Sequence, residues 1–95
     1  IADTAILDLI ETLKNNMLKL IDEENKKEEV EEFGENIVIL IDGGKDILES
    51  STREDGFTWD DCVEFVEAMT KRKVANHPSL SNKVVFKFMD LEEEF

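Results

Sequence analysis

The sequence holds one cysteine, one proline, one histidine, one tryptophan and no tyrosine in 95 residues. The lone Cys62 excludes an internal disulfide and, with the lone His77, leaves no sulfur or imidazole cluster at metal-ligand spacing. Nucleophilic catalysis has as little to work with. His77 precedes Pro78 in an expected loop, and Cys62 falls on an apolar helical stripe, where a buried structural thiol is the expectation. Long hydrophobic runs are missing as well. No segment approaches the roughly 20 apolar residues that span a bilayer, and the opening IADTAILDLIE lacks the basic flank of a signal peptide. The expectation is a cytoplasmic, intracellular protein with no membrane association, no cofactor and no enzymatic activity.

Bases are scarce beside acids, 11 Lys and Arg against 24 Asp and Glu, for a net charge of −13. Such a surface repels duplex phosphates over most approaches, so direct binding of nucleic acid is not expected. A basic protein surface is the easier partner. The imbalance is uneven, with 14 acids and 5 bases in residues 1–50 against 10 acids and 6 bases in 51–95. Lys71, Arg72, Lys73, Lys83 and Lys87 fall in a span without an acid until Asp90, which reads as a basic island on an acidic body. The densest acidic span, Asp22 to Glu35, contains Glu24, Glu28, Glu31, Glu32 and Glu35.

What the chain does have is helical periodicity. Apolar residues make up 41% and charged residues 37%, the balance of a folded core under a densely charged exterior, and the length suits one domain over residues 1–95. The organising stretch is VEEFGENIVILIDGGKDIL, residues 30–48. Val30, Phe33, Ile37, Leu40, Gly44 and Ile47 recur at steps of three and four, the spacing that returns to one side of a helix. Ile37 to Ile41 contain no polar residue, so every side of that turn is apolar and the helix is expected to be covered by the rest of the chain or by another copy. Gly34, Gly43 and Gly44 interrupt it. Because the spacing carries through them, the helix is expected to continue, the missing side chains letting another helix approach; an Asp42-Gly43-Gly44 stop and a strand at residues 36–41 are the alternatives.

Around this element the pattern predicts an all-α, four-helix bundle-like domain with helices at about 4–22, 27–50, 58–73 and 79–92. The first starts from an Asp3 or Thr4 cap and turns Ile6, Leu9/Ile10, Leu13, Met17 and Leu20/Ile21 inward. A turn near Asp22 to Asn25 would fold it antiparallel to the second helix, the alternative being one continuous helix from Thr4 to Phe33. The third opens on a capping box, Thr58 with Asp61, runs through Trp59, Cys62, Val63, Val66 and Met69, and ends on Lys71, Arg72 and Lys73, cations suited to the negative helix end. The fourth follows Pro78 with Ser79 or Ser81 as cap and carries Leu80, Val84, Val85, Phe88 and Leu91, a strand through Val85, Phe86, Lys87 and Phe88 being the alternative. Residues 92–95 are expected to fray.

Abundant carboxylates form no recognisable metal motif. An EF-hand centred on Gly56 would place Arg53 and Cys62 at ligand positions, no Glu-x-x-His occurs, and Gly43-Gly44-Lys45 lacks the remaining parts of a phosphate loop. The leading expectation is a non-catalytic protein–protein interaction or assembly module, self-associating or binding a basic protein surface. In a self-assembly, the span Lys71 to Lys87 would meet the acidic span of a neighbour. Two alternatives are an acidic nucleic-acid mimic that inhibits a nucleic-acid-binding protein and a weak carboxylate metal-binding protein.

Overall fold

The computed structural model describes residues 2–95. Among them four α-helices follow one another, α1 (Ala2–Leu20), α2 (Lys27–Glu49), α3 (Trp59–Lys71) and α4 (Asn82–Glu92), with one 3-10 turn at Val74–Asn76 and no strand. The all-α, bundle-like architecture is the predicted one, and α2 runs unbroken through Gly43 and Gly44.

Helices α1 and α2 form an antiparallel pair, closed at one end by Ser51 donating to Asp3 and at the other by a turn in which Asn25 adopts φ 62°, a left-handed geometry that asparagine tolerates. Helix α4 lies parallel to α2, with Ser81 near Glu31 at its start and Glu94 near Lys45 at its end. Helix α3 runs back antiparallel to α4, where Phe65 and Phe88 meet edge to face at 5.4 Å and Trp59 meets Phe95 at 5.5 Å. The principal packings are thus α1 on α2, α2 on α4 and α4 on α3.

The core does not use the stripe that spacing alone selected. On α2 the buried residues are Val30, Gly34, Ile37, Ile41, Gly44 and Leu48. Relative to the predicted set, Gly34, Ile41 and Leu48 replace Phe33, Leu40 and Ile47, a rotation of the inward face by about 50° at 100° per residue. Gly34 supplies the reason. A Cβ there would stand 3.2 Å from Val84 Cγ1 and 3.8 Å from both Met17 Sδ and Phe88 Cε2, so the bare backbone is where α1 and α4 close on α2. The same rotation occurs on α1, whose buried residues are Leu7, Ile10 and Met17, continued by Ile21 in the turn, while Ile6, Leu13 and Leu20 are only partly covered and Leu9 is exposed.

Ends differ from the pattern where loops, not cores, decide. Asp3 and Thr4 lie inside α1 and not at its cap, because Ser51 and Arg53 from the α2–α3 connection hold them; Arg53 Nη1 donates to the Thr4 carbonyl and pairs with Asp8 at 2.7 Å. Helix α1 stops two residues earlier than expected, and α3 stops at Lys71 with Arg72 extended (φ −70°, ψ 139°). Ser81, not Ser79, caps α4 by accepting from Val84 N–H, which delays its start to Asn82. Residues 93–95 fold back on the bundle instead of fraying. Phe95 packs on Trp59, and Lys45 Nζ donates to the Glu94 carbonyl.

Candidate interaction surface

The acidic positions divide by what they touch. Glu24 stands in the α1–α2 turn, and Glu28, Glu32 and Glu35 lie exposed along the outer back of α2. Asp42, Asp46 and Glu49 extend that back to the end of the helix. Helical rise makes this a ridge about 32 Å long from Glu28 to Glu49. Glu31 is different: it accepts from Ser81 Oγ at 2.9 Å, tying α2 to the start of α4.

The five predicted basic positions cluster near one end only in part. Lys71 and Lys73 are exposed where α3 ends, and Lys83 is exposed on the first turn of α4. Lys87 is half-buried a turn further on. Arg72 turns inward, its Nη1 3.4 Å from His77 Nε2, and its Nε is buried without a hydrogen-bond partner. His77 Nδ1 lies 2.7 Å from Asp22 Oδ1. Arginine only donates and carboxylate only accepts, so the two contacts together fit the imidazole with its proton on Nδ1. The acidic turn and the basic island therefore adjoin within one molecule, joined by Asp22–His77–Arg72.

Ser79, which spacing marked only as a possible cap, stitches the same end. Fully buried, it accepts from Lys26 N–H at 2.9 Å, donates to the Glu23 carbonyl, and gives its own N–H to the Ile21 carbonyl at 3.0 Å. No periodicity signals this role, since all three partners lie more than 50 residues away in sequence.

The feature that spacing missed is apolar. Ile39 is 60% exposed, Ile47 50% and Leu9 47%. The turn Ile37–Ile41 is covered on its inner side by α1 and on one flank by α4, yet its outer side stands in water. Orientation follows from the packing: Glu11, Lys14 and Leu18 mark the flank of α1 against α3, and Glu31 and Lys45 mark the flank of α2 against α4. Ile6, Leu9, Leu13 and Leu20 occupy the opposite flank of α1, as Phe33, Leu40 and Ile47 do on α2. Both flanks therefore open on the same side of the molecule, with Ile6 and Gly44 in contact range at their seam.

For chemistry the site offers little. Cys62 is fully buried, and burial pushes its thiol up to about 12. Among the described residues no three carboxylate, imidazole or thiol groups gather as a metal site, and no helix is long and apolar enough to cross a membrane. Comparison with protein-family models, with characterised proteins and with solved structures gives no match.

Proposed function

We propose that this chain is a non-catalytic protein–protein contact module, engaging either copies of itself or a basic protein surface in an intracellular setting. The observation that carries this reading is the outer side of the α1–α2 pair, where apolar side chains stand in solvent beside exposed acids. Contiguous apolar surface rimmed by polar groups is the ordinary mark of a contact site. The test is light scattering of the chain at low and high salt over a wide concentration range, with immobilised chain offered basic helical proteins in parallel. Association in either format is expected. A chain that stays monomeric throughout and retains no partner would overturn the reading.

A second reading, mimicry of nucleic acid, draws on the acidic ridge along the back of α2. Glu28, Glu32 and Glu35, with Glu24 in the preceding turn, project charge from a rigid helix, as phosphates do from a duplex. Charge reversal at these four positions is expected to release a nucleic-acid-binding partner if mimicry operates. Retention of that partner by the reversed variant would count against it.

A further inference from the structure

We infer that the α1–α2 face binds a basic amphipathic helix of a partner protein, apolar side down in the groove between α1 and α2 and cationic flank towards α2. The inference rests on the contact-module reading and specifies its partner.

Three observations point there. The first is the surplus of apolar residues. Both helices carry apolar arcs wider than the fully buried core, and the exposed Leu9 and Ile47 lie side by side on one face with Leu13, Phe33 and Leu40, which are half-buried at the margin of the core. An amphipathic helix laid in such a groove meets them through positions i, i+3/i+4 and i+7. The second is the asymmetry of the borders. Beyond the apolar strip, α1 presents Ala5, Thr12 and Asn16, all exposed and uncharged, whereas α2 presents Glu29, Glu32 and Asp46, all exposed and acidic. A helix with Lys or Arg along one flank is complementary in one orientation only, which fixes direction as well as affinity. The third is a pocket at one end of the strip, lined by Glu29, Glu32, Phe33 and Asn36. Two carboxylates around an aromatic ring suit a lysine or arginine head, whose methylene stem covers the ring while the charge meets the acids.

A second copy of this chain fits the face less well. The face itself carries no cation, and two molecules at −13 repel as they approach. An anionic membrane is disfavoured by the same acids.

The experiment uses an 18-residue leucine–lysine peptide of amphipathic helical pattern, dye-labelled, with a leucine–glutamate twin as comparison. The full chain is expected to bind the lysine peptide and to ignore its twin. Ile47→Glu, a change at a half-exposed position of the strip, is expected to weaken binding tenfold or more, as is the pair Glu29→Lys and Glu32→Lys. Phe86→Glu on the exposed side of α4 and the pair Glu64→Lys and Glu67→Lys on α3 are expected to change it less than twofold. Equal losses from the α2 and α3 reversals would mean attraction by bulk charge alone and overturn the inference. Undiminished binding by the Ile47→Glu variant would do the same. So would dimerisation of the chain that Ile47→Glu abolishes, or capture of anionic vesicles that it abolishes. Any of these results leaves the broader contact-module reading to be judged by its own scattering and retention data, so the two fail separately.

Discussion

Single residues set how closely the helices approach, and two glycines on the same helix illustrate opposite cases. Gly43 faces open space, with nothing within 4 Å of the position a Cβ would take. Gly43→Ala is therefore expected to stabilise by roughly 0.5–1 kcal/mol through backbone entropy and helix propensity. At Gly34 the same methyl would press on Val84, which is fully buried and stiff about χ1, with Met17 and Phe88 close behind. Overpacking there outweighs the propensity gain, and Gly34→Ala is expected to destabilise by up to about 2 kcal/mol. Urea denaturation of both variants decides the matter, because equal gains would mean that α4 is free to move away from α2. Ser79 is the polar counterpart. Removing its hydroxyl leaves the Lys26 N–H and the Glu23 carbonyl without their partner, so Ser79→Ala is expected to cost about 1–3 kcal/mol, whereas Ser81→Ala removes a long helix cap and a hydrogen bond to the half-buried Glu31, together worth about 1 kcal/mol. A smaller loss at 79 than at 81 would mean that water replaces the hydroxyl.

Helix α3 was the most legible of the elements. Its capping box forms as read, with Asp61 N–H donating to Thr58 Oγ1 at 3.2 Å and Thr58 N–H donating to Asp61 Oδ2 at 3.0 Å, because both signals lie within four residues. Its buried thiol gives a pH test. Burial raises Cys62 from an ordinary 9.0 to about 12, so between those values the folded chain keeps a proton that the unfolded chain releases. The folded state then binds more protons, and stability falls as pH rises from 9 towards 12. Cys62→Ser or Cys62→Ala is expected to flatten that part of the melting-temperature profile; an equally steep decline without the thiol would assign it elsewhere. Alkylation of Cys62 below pH 9 is likewise expected only as the chain unfolds. Helices α1 and α2 were legible in extent and connection but not in rotation. Spacing gave apolar arcs on both, yet which half of each arc turns inward depends on where α4 docks. That is set at Gly34 by contacts 50 residues away in sequence, to Val84 and Phe88. The inward turn of Arg72 and the latch at Ser79 were hidden for the same reason, whereas the exposed cations Lys71, Lys73 and Lys83 needed only composition to find.

At the scale of the whole molecule, charge and size together make stability depend on salt. The bundle measures 37 × 23 × 18 Å and carries −13. At about 0.01 M ionic strength the Debye length is roughly 30 Å, so nearly every carboxylate feels nearly every other, while at 0.1 M it falls to roughly 10 Å and only neighbours interact. Self-repulsion favours the expanded, unfolded chain, in which the same charges stand further apart. Local attractions among the described residues oppose this trend. Arg53 with Asp8 and Lys45 with Glu49 are each at least partly exposed and individually weak. Screening is therefore expected to relieve more repulsion than attraction. The melting temperature should rise between about 0.01 and 0.15 M sodium chloride, with most of the gain complete by the upper value, where the screening length is shorter than any dimension of the bundle. Binding at the α1–α2 face should move the other way, its cationic partner losing affinity over the same range while the fold gains stability. A thermal melt and a peptide titration on the same salt series separate the two effects. A melting temperature that falls with salt would show the scattered ion pairs to outweigh net charge, contrary to the balance of 24 acids against 11 bases.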